Sequence, residues 1–302
     1  MIMDYSKFLK KNSIPIFLFH GVTQKKQKYK IRNYNRKHID KDYFYKICLQ
    51  LKKKGNPISM DEIYKIISKK KKIPPYSFAV TFDDGFYNNY SVAAPILKDL
   101  NFPTTFYVTT NFIDKNYMVW ADRLERILEE KSQNKIEVPW GLYKAITIKD
   151  KIHFMNNLRF VFKSKKKYDF EEITNNIFRQ LNKKIEYRGN SEIDKKMNWK
   201  DIISLNTENI FTIAPHSHNH KILSFCDTKI LKNEVSKSIN LLKQKTKIKN
   251  IHYSYPDGKR NHYNKEVINV LKNSGIKCCP TAIEGSNSSK TDLFHLKRIM
   301  VV

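Results

Sequence analysis

Residues 78 to 85 read Phe78-Ala79-Val80-Thr81-Phe82-Asp83-Asp84-Gly85. A short run of apolar and β-branched residues predicts a buried strand, and this one ends in two adjacent carboxylates and a glycine, which places both acids at the mouth of a sheet or barrel. Adjacent carboxylates raise one another's pKa unless a metal ion or a cationic neighbour offsets the repulsion. The pair therefore calls for further ligands, or a cation, brought to the same strand end by the fold.

Other short apolar segments predict strands at Ile14 to Phe19, Thr104 to Val108, Phe211 to Ala214, Ile251 to Tyr255, Ile276 to Cys279 and Leu296 to Val302. Helical patterns fall between them, at about 40 to 54, 60 to 70, 89 to 100, 121 to 131, 228 to 245 and 263 to 274. Strand alternating with helix implies a parallel α/β arrangement. Seven strands suit a distorted (β/α)7-type barrel better than a small open sheet, and in such folds the chemistry gathers at the C-terminal strand ends. The stretch from about 112 to 200 breaks the rhythm with Lys-rich, aromatic and helical patterns and few strand signals. It reads as a helical insertion between two barrel strands. No internal repeat or Gly/Ser linker marks a boundary, so residues 1 to 302 are expected to form one domain carrying that insertion.

A chain of 302 residues easily buries a core. No stretch approaches the roughly 18 apolar residues of a membrane span. Ile14 to Phe19 is shorter than a signal-peptide core and runs into His20-Gly21 instead of a small-residue cleavage site, so the chain reads as cytoplasmic. Cys48, Cys226, Cys278 and Cys279 have neither a paired-disulfide nor a C-x-x-C spacing and are expected to be reduced. The net charge of +28 raises nucleic-acid binding, but only nine of the 57 basic residues are Arg, and the lysines are dispersed along the whole chain. That pattern favours a solvated surface, and no nucleic-acid partner is expected. A net positive field still attracts an anionic glycan or an acidic membrane surface.

The second informative stretch is Ile213-Ala214-Pro215-His216-Ser217-His218-Asn219-His220. If the chain turns helically after the strand, the rings of His216 and His220 point the same way, as in other H-x-x-x-H metal sites. One carboxylate and two imidazoles leave a metal with open positions, the layout of a catalytic site. Alone, the histidine spacing is often a coincidence of surface residues and Asp83-Asp84-Gly85 often only a turn. Their joint occurrence at two strand ends, in a chain with nine histidines, favours the metal site. His218 would point elsewhere, to solvent or to a supporting contact.

At these residues the chain resembles the polysaccharide deacetylases of carbohydrate esterase family 4, the NodB-homology group. The family's T-F-D-D-G motif matches Thr81-Phe82-Asp83-Asp84-Gly85, and its H-S/T-x-x-H-type motif matches His216 to His220. The resemblance implies that Asp83 is the general base and that Asp84, His216 and His220 hold a divalent metal. Zinc is the default for this donor set, with cobalt, nickel or iron also accommodated. Trp120 to Leu124, Met197 to Lys200, Tyr253 to Gly258 and Leu296 to Ile299 have counterparts in a bacterial branch found among surface-glycan genes.

Two departures stand out. Many members carry an R-x-P-Y-type third motif, whose Arg orients the base and whose Tyr N–H helps form the oxyanion hole. The aligned residues here are Ser254, Pro256 and Asp257, so the Arg is missing. An oxyanion donor needs only a backbone N–H, which Asp257 can supply, and Arg298 is the candidate to orient the base. Many relatives also place an L-x-H acid near the C-terminus. This chain has Leu293-Phe294-His295 there and Leu18-Phe19-His20 at the end of its first strand. His295 precedes its strand and His20 follows one, so His20 is expected at the catalytic mouth as the general acid, against a plain role capping the strand. Tyr255, Trp120 and Phe86 are candidates to stack on sugar faces or to pack in the core.

The resemblance implies a metal-dependent hydrolase that removes N-acetyl groups from an amino sugar in a polysaccharide or glycan precursor, in surface-glycan biosynthesis. The alternatives are hydrolysis of a non-glycan amide or cyclic imide, and a catalytically silent glycan-binding homologue.

Overall fold

A computed structural model describes residues 3–113, 115–247 and 252–302. Six parallel strands form its centre, in the order Pro280–Glu284, Leu296–Met300, Ile14–Phe19, Ser77–Phe82, Thr104–Val108 and Phe211–Pro215. Ile14–Phe19, Ser77–Phe82 and Thr104–Val108 are buried at every position, as expected of parallel strands covered on both faces. On one side Phe17, Phe19, Phe78 and Phe82 pack with Phe44, Ile47 and Leu51 of the Lys41–Lys54 helix. On the other, Ile14, Ile16 and Ala79 meet Met60, Ile63 and Ile67 of the Met60–Ser68 helix, which a Ser59/Glu62 capping box starts.

The sheet's two edges are bridged by irregular chain. Ser254 N–H donates to the Pro215 carbonyl at 3.1 Å, while Tyr253 and Tyr255 N–H reach the Cys278 and Pro280 carbonyls at 3.2 and 3.4 Å. Residues 252–255 thus take a seventh position between Phe211–Pro215 and Pro280–Glu284, giving a distorted barrel. The expected Ile251 to Tyr255 strand is therefore corrected to a single bridge, His252 to Cys278, with Ile251 outside the described residues. The expected Ile276 to Cys279 strand is displaced to Pro280–Glu284.

Between Thr104–Val108 and Phe211–Pro215 lies the insertion, with helices Trp120–Glu130, Ile148–Ser164 and Phe170–Gln180. It also contains an antiparallel hairpin, Gln133–Val138 with Gly141–Ala145, which a purely helical reading of about 112 to 200 does not anticipate. The insertion has its own apolar cluster, including Leu124, Leu128, Ile136, Phe154, Leu158, Phe162 and Ile177. No helix among the described residues is long and apolar enough to cross a membrane. All four cysteines are free thiols.

Candidate active site

At the end of the Ser77–Phe82 strand the backbone turns sharply, with Asp84 at φ 76° and Gly85 at φ 80°. A left-handed Asp is uncommon and costs on the order of 1 kcal/mol or more, the kind of strain that gathers at functional sites. Lys195 to Met197 hold the turn: Met197 N–H donates to Gly85 O at 3.0 Å and Tyr87 N–H to Lys195 O at 2.8 Å. Both acids are buried, yet they meet different partners.

Asp83 is clasped by Arg298. Nη1 donates to Oδ1 at 2.8 Å and Nη2 to Oδ2 at 2.7 Å, a bidentate pair, while Nε donates to the Thr281 carbonyl at 2.6 Å. Arg298 Nη2 also donates to Ser254 Oγ at 3.0 Å, and Ser254 Oγ lies 3.4 Å from Asp83 Oδ2. Burial works against the Asp83 charge, but the Arg298 guanidinium and the neighbouring imidazoles outweigh it and hold the carboxyl below its ordinary pKa. The third motif offers no arginine, and the guanidinium beside Asp83 comes instead from the last strand.

Asp84 faces the histidines. Its Oδ1 lies 3.2 Å from His220 Nε2 and 3.7 Å from His216 Nε2, and the three ligand atoms lie within 4.8 Å of one another. His216 Nδ1 sits 2.9 Å from the Ser254 carbonyl, a contact that fixes this nitrogen as the donor and leaves the Nε2 lone pair free. Asp84 Oδ1 is buried without a hydrogen-bond partner. Burial raises the Asp84 pKa, and the His220 imidazole more than reverses it, leaving the carboxylate ionised. A carboxylate and two imidazoles with converging free electron pairs are compatible with a divalent cation that keeps open positions.

The histidines do not converge by a helical turn. Residues 216–220 form an irregular loop in which Ser217 and His220 have φ of 62° and 58°. Glu234 of the Thr228–Thr246 helix shapes it, accepting from the N–H of His218 at 3.1 Å, from the N–H of Asn219 at 2.8 Å and from Asn219 Nδ2 at 2.5 Å. His218 is buried against Thr110 Oγ1 at 2.8 Å, not turned to solvent.

His20 follows the Ile14–Phe19 strand and is half-buried, with its carbonyl held by Asn89 Nδ2 at 2.7 Å. Burial lowers its imidazole to about 4 against the pull of Asp84 and Asp83, so the ring rests neutral. His295 lies at the opening of the Leu296–Met300 strand, beside Tyr263 and away from the acids. Asp257 has φ 57° and ion-pairs with Lys163 of the insertion, and no backbone carbonyl among the described residues takes up its N–H.

The aromatic candidates fare differently. Tyr255 is fully buried, stacked on Tyr263 at 4.3 Å with its hydroxyl on the Phe294 carbonyl, so it is a core residue and offers no face to a sugar. Phe86 is equally buried, beneath the Lys196 ammonium. Pro256 is buried, and Trp120 is half-buried with its edge on Phe162 at 4.7 Å. Sequence reasoning missed Ser254, which touches both Arg298 and Asp83, as well as Glu234 and Lys163. Glu234 did leave a signal: it is the only acid in a Lys-rich helix and falls on the Leu231, Val235, Leu242 stripe.

Residues 70–138 and 171–279 match the model of the polysaccharide deacetylase family, more than half of the chain. The match includes Asp83, Asp84, His216, His220 and Asp257, and omits the middle of the insertion. No curated protein matches the chain. Among solved structures, the Streptococcus pyogenes deacetylase PplD in complex with acetate is similar at 17% identity and TM-score 0.62, over 97% of this chain and 93% of that one. IcaB from Ammonifex degensii is similar at 14% identity and TM-score 0.62, over 97% and 94%. The BpsB deacetylase domain from Bordetella bronchiseptica is similar at 17% identity and TM-score 0.56, over 96% of each chain. At these identities the likeness speaks for the fold.

Proposed function

The chain belongs to the polysaccharide deacetylase family, and from that premise we propose that it is a metal-dependent hydrolase that removes the N-acetyl group from an amino sugar in a polysaccharide or glycan precursor. Residues 1 to 302 act as one catalytic domain with its insertion. The observation that carries the reading is the division of the two acids: Asp83 in the grip of Arg298, Asp84 aimed at His216 and His220.

In this reading Asp84, His216 and His220 hold the cation, zinc by default. When bound, it supplies a Lewis acid that polarises the acetamide carbonyl and lowers the pKa of water toward neutrality. Asp83 takes the proton of the attacking water, and the bidentate Arg298 contact keeps its carboxylate ionised and fixed in direction. The Asp257 N–H is the donor to the developing oxyanion. His20 delivers a proton to the departing amine. Because its ring rests neutral, that proton must first be received, and Asp83 is the source. Water and amide are thereby converted to acetic acid, which ionises in solvent, and free amine, with no net proton uptake by the protein.

Acetate release from a panel of N-acetylated oligosaccharides, with chelator and metal add-back, tests the reading. We expect metal-dependent release that Asp83→Asn lowers by roughly 10²- to 10⁴-fold. Ring-opening of small cyclic imides with no acetate from any glycan, or glycan binding without any acetate and without an effect of Asp83→Asn, would sink it.

A further inference from the structure

One residue of the insertion meets the 257–262 loop in two ways. Lys163, near the end of the Ile148–Ser164 helix, pairs its ammonium with the Asp257 carboxylate. Its carbonyl lies 2.9 Å from His262 Nε2 and accepts from Asn261 Nδ2 at 3.2 Å. Side chain and backbone of one residue therefore grip both ends of the 257–262 loop. The loop is seated firmly on its other side: Ala282 N–H donates to the Gly258 carbonyl at 2.9 Å, and a Cβ added at Gly258 would come within 2.6 Å of Ala282 N.

Asp257 itself sits in the left-handed region at φ 57°, three residues beyond Ser254, whose carbonyl lies 2.9 Å from His216 Nδ1. A left-handed Asp is not a relaxed choice, so something must hold it. Lys163 lies between the two stretches that match the family model, whereas Asp257 lies within the second. The grip on the loop is thus contributed by a part of this chain that the family pattern does not cover.

We propose that Lys163 is a positioning residue for the reaction: by gripping Asp257, Asn261 and His262 it fixes the backbone of residue 257 beside the Asp84, His216 and His220 cluster, so that the inserted helix completes the oxyanion side of the site. This rests on the deacetylase reading only for its kinetic consequence. The ion pair is partly exposed, 35% and 16% for the two side chains, so its value lies in placement more than in stability.

The test uses the full chain and two readouts. First, amide hydrogen exchange on the metal-free protein: Lys163→Met should speed exchange across residues 257 to 262 by about tenfold or more and leave the Ser77–Phe82 strand unchanged as an internal control for folding. Unchanged exchange in the loop overturns the proposal whether or not the protein is a deacetylase. Second, acetate release: Lys163→Met should lower kcat by roughly ten- to a hundred-fold with KM little changed, at equal metal content. Lys163→Arg should keep most of the turnover. The double variant Lys163→Met with Asp257→Asn should be no worse than the poorer single variant, because both remove the same grip. Wild-type kcat in Lys163→Met, multiplying losses in the double variant, or full recovery in it would each overturn the proposal. A wild-type chain that releases no acetate defeats the deacetylase reading and leaves the exchange result standing.

Discussion

The first two barrel strands are buried at every position, whereas the inserted hairpin exposes half or more of each of its strands. The fully buried arginine of each region also meets a different kind of partner. A parallel strand covered on both faces can show polar groups only at its ends, and the acids and histidines stand there. Arg298, the exception, points inward from mid-strand because Asp83 receives it. The insertion keeps an equally buried arginine, Arg123, whose main acidic partner, Glu171, is 58% exposed. In the barrel a buried cation answers a buried anion. Arg123 instead answers a water-accessible acid, and the Arg298 pair is therefore the less forgiving of the two.

Removing each arginine breaks or upholds that contrast. Arg298→Met strands the Asp83 carboxylate in a site where it is 5% exposed, and we expect a loss of about 3–5 kcal/mol of stability along with most turnover. Arg123→Met also loses bonds to Asn175 and to the Glu186 carbonyl, but Glu171 can be rehydrated, so the loss should be about 1–3 kcal/mol. Urea denaturation of both variants measures the difference. Equal losses would mean that the surroundings of the two guanidinium groups do not differ in the way argued.

A smaller effect is expected one step out from the ligands. Glu234→Ala removes the acceptor for the His218 and Asn219 N–H groups and frees the loop that brings His216 and His220 together. Divalent metal affinity should fall by roughly 10- to 100-fold, read by titration of the metal-free protein, while the fold persists by circular dichroism. Unchanged affinity would show that the left-handed residues Ser217 and His220 hold the loop without Glu234.

Much of this was legible in the residues, and the limits are physical. Ile14 to Phe19, Thr104 to Val108 and the run before Asp83 form strands because continuous apolar runs bounded by turns have few other ways to be buried. Arg298 was legible as a candidate because Leu296 and Arg298 share the inward side of a strand whose Lys297 faces out. The path of the His216 to His220 loop was not, because an i, i+4 spacing fits a helical turn and also a left-handed loop, and Ser and His carry no mark for the latter. The hairpin was hidden by its lysines and its single buried face. Lys163 left no trace at all, since its partner lies 94 residues away.

The seam between the two regions offers the subtlest test. Lys196 pairs with Phe86 across an antiparallel bridge, with its ammonium 3.4 Å from the Phe86 ring centre and 3.8 Å from Asp122 Oδ2, buried and without a hydrogen bond. Burial lowers its pKa to about 8 from 10.5, opposed by Asp122 and seconded by Lys37. The folded protein therefore holds this proton less tightly than the unfolded chain does. Between about pH 8 and 10.5 the unfolded state binds more protons, so stability should rise with pH across that window; below pH 8 the full cost of the buried charge remains. Lys196→Met keeps the shape and removes the charge. Because Lys37 still neutralises Asp122 at 2.5 Å, the variant should be as stable as the wild type at pH 7 or more stable by about 1–2 kcal/mol, and its rise between pH 8 and 10.5 should flatten. Were the variant instead destabilised with its pH slope intact, Lys196 would be a needed cation of the seam, and its contact with Asp122 would matter to stability as the Arg298–Asp83 pair does.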